Sequence, residues 1–389
     1  MDIVFSNQEF ENRIVRAQEE MQHHKLDALL VTSPPNFRYF TGFDSQFWES
    51  PTRPWFFIIP ARGKCIAVVP EIGASLIKGS WIDKILSWPA PIPEDDGISL
   101  LTSALQSIIR KFGRIGMEFG RESVVRMPIN DLFRLKDSLQ DLELVDGSPC
   151  IWNLRAIKSE AEVECIKTSC TIVCDAFDNL PSYARSGMME SEIVKALTID
   201  IFSGGAHSVP FMAAASGFGG YDQIISRGGK RVLGDGDILI IDVGATINGY
   251  FCDFDRNFGF GKISDAALYA NSALYDATST ALRVAAPGVS TSELWKCMAK
   301  SLEDSGLQAN NSGRLGHGLG LQFTEPPSNM VTDNTLLKAG MVITIEPSVE
   351  YIKGKSLAHE ENILITEDGP VLLTRRAPRE LIIIEGNYF

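Results

Sequence analysis

ILIIDVGATINGYFCDFDRNFGF, residues 238–260, is a pair of β-rich runs on either side of the dipeptide Asn248-Gly249. Asn-Gly between such runs favours a two-residue type I′ turn, because both central residues of that turn need positive φ. With the turn in place, Asp255 falls opposite Asp242 and Asp253 opposite Gly244, and all four share one face of the hairpin. Like charges held opposite one another are destabilising unless a cation or a shared proton offsets them. The hairpin therefore fits either a metal site or a solvated face with scattered acids.

Three more stretches bear on that choice. MVITIEPSVEY (341–351) places Glu346 in an otherwise apolar strand, just before a proline, and AHEENILIT (358–366) places Glu360 just ahead of another. An ionised Glu buried in a sheet is costly unless it is paired or binds a metal. GHGLGLQFTEPP (316–327) sets His317 between glycines, where backbone can approach closely. Alone, that histidine reads as a solvated loop residue. Beside Asp242, Asp253, Glu346 and Glu360 it completes an oxygen-rich set with one imidazole, suited to two divalent ions, Mn²⁺, Co²⁺, Fe²⁺ or Zn²⁺.

Working outward, 389 residues exceed one comfortable core and suggest two domains. The first part alternates helix and strand as an α/β unit: a capping box at Ser6 and Glu9, a strand at 26–32, a strand pair in FFIIP and KCIAVVP, and one amphipathic helix over ISLLTSALQSIIRKF (98–112). Gly-Ser-Pro at 147–149 reads as a break, and Ser159 with Glu162 opens a long helix. The expected domains are 1–155 and 156–389, the second mixed in helices and hairpins. The net charge of −13 disfavours nucleic acid and anionic membranes as partners. With no leader-like start and no apolar run of membrane-spanning length, a cytoplasmic protein is expected. Seven cysteines without a CxxC pair point to reduced thiols.

The order DVG (242–244), Asp253, GHGLG (316–320), TIEP (344–347) and Glu360 ahead of LITEDG resembles the pita-bread metallohydrolases. These include prolidase, aminopeptidase P and methionine aminopeptidase, with creatinase as a metal-free relative. The resemblance implies an α+β chain, a creatinase-type α/β N-terminal domain followed by a pita-bread catalytic domain with a dinuclear metal site. It implies that Asp242 holds one ion, that Asp253 and Glu360 bridge both, and that His317 and Glu346 complete the set, with manganese as the first choice. It further implies that a metal-bridged water attacks an amide (X-Pro) carbonyl, with Glu346 moving the proton.

Four departures surround that cage. Thr324 stands where prolidase-like members carry a second His, Ala358 where peptidases carry an Arg, and Asp255 where Thr is usual. The substrate-facing His expected within 216–237 is missing. The cage is kept while the groups around the substrate change. An Xaa-Pro dipeptidase or aminopeptidase acting on a dipeptide or other small substrate is the leading expectation. The alternative is a same-fold enzyme for a small polar compound, such as a creatine-like or betaine-like C–N hydrolase or a dimethylsulfoniopropionate-type lyase. A non-catalytic binding protein fits less well with a complete ligand set.

Asp255 is read as a further ligand, a general base or a partner of Arg256. His359 alternates away from Glu360 along the strand, so it is a substrate contact or a supporting group. The aromatic-rich segment 36–57 is either interdomain packing or, as the resemblance implies, an arm that brings Trp48 and Arg53 to substrate in a homodimer.

Overall fold

The computed structural model describes residues 5–50, 52–309 and 313–385. Contacts divide the chain into two compact units, one ending at Arg155 and the other beginning at Ala156. Among the described residues no helix is long and apolar enough to cross a membrane.

In the N-terminal unit, strands β1 (Ala28–Val31), β2 (Phe56–Pro60), β3 (Ile66–Pro70), β4 (Lys84–Trp88), β5 (Arg114–Met117) and β6 (Glu143–Asp146) form one sheet in the order β4-β3-β2-β1-β5-β6. The pairs β1–β2 and β2–β3 are antiparallel and the rest parallel. Helices α1 (Asn7–His24), α2 (Pro34–Thr41), α3 (Glu71–Ile77), α4 (Ile98–Gln106), α5 (Ile129–Ser138) and α6 (Ser148–Ala156) complete it. One core joins Leu30, Phe56, Val68 and Met117 of the sheet to Leu101 and Leu105 of α4.

Two sequence expectations are corrected here. The helix expected over 98–112 stops at Gln106, because Asp27 takes the backbone N–H groups of Lys111, Phe112, Gly113 and Arg114 at 2.6–3.2 Å. Four amides converging on one carboxylate cannot also point along a helix. The break expected at Gly-Ser-Pro is instead the start of α6, since proline is tolerated in a first turn whose N–H groups have no helical partner.

The second unit holds α7 (Glu160–Asn179), opened by the Ser159–Glu162 capping box, then α8 (Glu190–Ser203), α9 (Asp265–Val284) and α10 (Thr291–Asp304). Strands β7 (Ser208–Phe218), β8 (Asp237–Ile247), β9 (Tyr250–Phe251), β10 (Phe254–Phe260) and the late β18 (Ile382–Ile384) form a sheet ordered β18-β10-β8-β7, with β9 paired to β8. Strands β11 (His317–Gly318), β12 (Glu325–Ser328), β13 (Val342–Ile345), β16 (Glu361–Thr366) and β17 (Gly369–Leu372) make a second, ordered β12-β11-β13-β16-β17. A ribbon of β14 (Ser348–Ile352) and β15 (Lys355–Ala358), and β18 (Ile382–Ile384), finish the chain. The alanine-rich face of α9, with Ala267, Ala270, Ala277 and Ala281, packs into a core with Ile343, Ile345, Ile363 and Ile365.

The turn and the Asp255–Asp242 pair form as read, but Asp253 is not paired with Gly244: it lies between β9 and β10, and its N–H turns to Asn362. Asn248 and Gly249 have φ of 50° and 78°, and Asp255 pairs with Asp242 and Thr246 with Phe251. The strand reading of 341–351 is corrected. β13 ends at Ile345 and β14 starts at Ser348, because Pro347 has no N–H to carry the ladder.

Candidate metal centre

The two larger sheets of the second unit deliver the carboxylates and the histidine to one place. β8 supplies Asp242, and the β9–β10 junction supplies Asp253. There the N–H of Asp253 leaves the hairpin and donates to Asn362 Oδ1 at 2.9 Å, while Asn362 Nδ2 donates back to the carbonyl of Asp253. This exchange ties the hairpin to β16 and so to Glu360 beside it. Glu346 follows β13, and its N–H donates to the carbonyl of Leu315 at 3.1 Å, joining it to the histidine loop.

The glycine before His317 is required by space. Gly316 has φ 124°, and a Cβ there would lie 2.2 Å from the carbonyl oxygen of Thr344. The N–H of His317 donates to Thr344 Oγ1 at 3.1 Å, and Nδ1 lies 2.9 Å from the carbonyl of Gly318. Nδ1 is thus the protonated nitrogen, and the Nε2 lone pair is left for a ligand. Nε2 lies 3.2 Å from Asp253 Oδ2, and ligand atoms of Asp253, His317 and Glu360 all fall within 4.8 Å of one another.

Charge makes this cluster expensive without a cation. Burial, then the neighbouring Asp242 and Glu346, holds Asp253 well above the ordinary carboxylate range. Glu360 is raised in the same way by burial and by Asp253. Burial pushes Asp242 up to about 7, although a hydrogen bond with Asp253 pulls the other way. Burial and the charge of Asp242 push Glu346 up to about 8. His317 is lowered to about 4, chiefly by burial and then by Arg314, so it is neutral and able to ligate. Asp242 Oδ1, Asp253 Oδ1, Asp255 Oδ1 and Glu360 Oε1 are sealed from solvent with no hydrogen-bond partner. Four orphaned carboxylate oxygens around a neutral imidazole fit divalent cations, which would satisfy lone pairs that no protein donor reaches.

Asp255 is buried opposite Asp242 and is raised by burial and by that neighbour. Its carboxylate is not what Arg256 binds. Arg256 donates to the carbonyls of Asp255 at 2.6 Å and Glu360 at 2.9 Å, and pairs with Glu361 at 3.1 Å. Thr324 Oγ1 accepts from Arg314 Nη2 at 3.2 Å. His359 is not brought to the cluster. It turns toward α9, with Nδ1 2.9 Å from Thr278 Oγ1 and its ring against Tyr275. Trp48 and Arg53 lie in the N-terminal unit: Trp48 is ringed by Phe37, Phe43 and Trp55, and the Arg53 guanidinium sits 5.5 Å over the Phe47 ring.

Sequence reasoning missed the supports of this site. Asn362, the Arg256–Glu361 pair and a buried ion pair between Lys158 and Glu325 at 3.2 Å all join segments distant in the chain. Lys158 and Glu325 are 2% and 1% exposed, and Glu325 lies opposite Gly318, so the pair pins the loop that carries His317. Lys158 after Ala-Ile and Glu325 ahead of Pro-Pro carry no marked local signal. Nothing local linked them.

A two-unit α+β chain with a buried carboxylate–histidine cluster in its second unit describes a class of hydrolase, and comparison with known proteins defines it further. Residues 164–367 match the model of metallopeptidase family M24, and residues 13–157 match the creatinase/prolidase N-terminal domain. The chain belongs to metallopeptidase family M24, with a creatinase-type N-terminal domain ahead of the pita-bread catalytic domain. Among solved structures it is similar to the dipeptidase PepE of Mycobacterium ulcerans, with a TM-score of 0.85 and 25% identity over 98% of this chain and 99% of that one. It is also similar to the prolidase of Pyrococcus horikoshii OT3, with a TM-score of 0.81 and 25% identity over 94% of this chain and 99% of that one. An uncharacterized peptidase of Staphylococcus aureus is 26% identical over 367 residues, 93% of this chain and 98% of the relative. The protein is therefore a metal-dependent peptidase-type hydrolase.

Proposed function

We propose that the protein hydrolyses the X-Pro amide bond of dipeptides or short peptides, with two divalent ions, manganese first, held by Asp242, Asp253, His317, Glu346 and Glu360. The observation that carries this reading is the set of orphaned, mutually repelling carboxylates around a neutral His317. When bound, the ions supply Lewis acidity toward the scissile carbonyl and acidify water near neutral pH. The chain's own groups do the rest. Asn362 holds the backbone of Asp253, whose Oδ2 lies 3.2 Å from His317 Nε2. Glu346, joined to the histidine loop through Leu315, is the carboxylate that would carry a proton from the nucleophile to the leaving amine.

Thr324 in place of histidine favours a second reading, a same-fold enzyme for a small polar compound, because the group that prolidase-like relatives offer the substrate is replaced. The test is hydrolysis of Ala-Pro and Met-Pro by the manganese-loaded protein, with His317→Ala as the control. The reading expects turnover by the wild-type chain and its loss in the variant. Full activity in His317→Ala, or no cleavage of either peptide by the wild type, overturns it, and the second outcome turns attention to small polar compounds.

A further inference from the structure

Arg314 stands three residues before His317, and its place in the chain is tightly held. The next residue, Leu315, donates its N–H to the carbonyl of Asn329 at 2.8 Å and accepts from the N–H of Glu346 at 3.1 Å. The guanidinium is half-buried, and its Nη2 donates to Thr324 Oγ1 at 3.2 Å. Thr324 follows Phe323, whose ring lies 6.2 Å from that of His317, so the partner of Arg314 adjoins the residue that packs by the cluster. Yet among the described residues Arg314 has no ion-pair partner, and its other donors are unused. An arginine presents five donors in a planar fork that matches a carboxylate, and half-buried arginines usually find one.

The residue next to Thr324 belongs to an aromatic cluster. Phe323, beside Thr324, lies 6.2 Å from His317 and packs on Phe211 at 4.2 Å and Phe251 at 5.9 Å between ring centroids. The Phe323 ring fills the space above Gly244, where a Cβ would come within 2.7 Å of it. A cation without an ion-pair partner among the described residues, next to an aromatic cluster and a hydrolytic centre, suits a substrate that carries an anion next to an apolar group.

We infer that Arg314, steadied by Thr324, is a specificity-determining residue that receives a substrate carboxylate adjoining the scissile bond. The inference rests on the hydrolytic reading above for the position of that bond. Two sources supply such a carboxylate: the C-terminal α-carboxylate of a dipeptide, or an acidic side chain on its N-terminal residue. Thr324 fixes the fork by one donor and leaves the remaining donors for the ligand.

The test uses reduced-amide isosteres, which have no carbonyl to attack, titrated by calorimetry into the manganese-loaded wild-type protein. The probes are the isostere of Ala-Pro, its C-terminal amide, and the C-terminal amide of the Asp-Pro isostere. If the α-carboxylate is the ligand, the acid form binds roughly 10- to 100-fold more tightly than its amide, as expected for a charge-assisted hydrogen-bonded pair. If the side chain is the ligand, the Asp amide shows that advantage over the Ala amide. In either case Arg314→Met erases the preference and Arg314→Lys keeps part of it. Should Arg314→Met fail to fold, the wild-type preference and the Arg314→Lys result still decide.

Binding of all three probes within about twofold of one another, or a preference that survives in Arg314→Met, overturns the inference. Absence of binding by any probe overturns it as well. The hydrolytic reading is separated by turnover: cleavage of Ala-Pro without carboxylate discrimination removes only the role of Arg314. Tight, Arg314-dependent binding of the acid form without cleavage of Ala-Pro keeps that role and removes the hydrolytic reading.

Discussion

Replacing Glu346 by Gln in the manganese-loaded protein is expected to lower kcat on Ala-Pro by a factor on the order of 10³, with a much smaller change in KM. The substitution keeps the shape and one oxygen of the side chain but removes its capacity to take up a proton. Glu346 suits that task by its place, since it follows β13 and its N–H donates to the carbonyl of Leu315 in the loop that carries His317. A tenfold or smaller loss in steady-state kinetics, with metal content retained, would show that Glu346 is only a ligand.

The second large effect concerns stability as well as activity. Asp253→Asn should abolish detectable hydrolysis, yet make the metal-free protein more stable by about 1–2 kcal/mol at pH 8. Asp253 is 1% exposed and surrounded by Asp242, Glu346 and Glu360, so in the absence of a cation it is a buried charge among like charges. The sign follows from linkage. Asp242 rises from 3.8 to about 7 and Glu346 from 4.5 to about 8 on folding. The folded, metal-free state thus binds more protons than the unfolded chain. Its stability from these groups is complete below the unfolded values and is lost as pH rises toward the folded ones, between about pH 4 and pH 8. Thermal melts of the metal-free wild type should therefore fall over that window, and the stabilisation conferred by Mn²⁺ should grow over it. Asp253→Asn should flatten both trends. A destabilised metal-free variant with an unchanged pH profile would show that Asp253 is held by protein donors instead.

The hairpin and the order of the site residues were legible because they depend on local signals. Asn248-Gly249 names its own turn, and the turn then sets which residue opposes Asp242, though not the departure of Asp253 from the ladder. Glu346 and Glu360 stood out as charges against apolar strands. The break at Pro347 was also within reach, since the missing N–H is a property of the residue. What eluded the sequence is non-local. Asn362 gripping Asp253, Asp27 collecting four amides from 111–114, and Lys158 meeting Glu325 across 167 positions each depend on packing that brings distant segments together. The same holds for Arg314, whose meaning comes from Thr324 and from the absence of a carboxylate partner among the described residues. His359 shows the converse. Alternation along the strand already set it apart from Glu360, and its ring lies against Thr278.

Metal content per chain is the most direct test, measured by elemental analysis of protein reconstituted with Mn²⁺ and freed of excess ion. The five-residue cluster predicts about two ions per chain in the wild type. Retention of no metal by the wild type after reconstitution would contradict the assignment of Asp242, Asp253, His317, Glu346 and Glu360 as a metal centre.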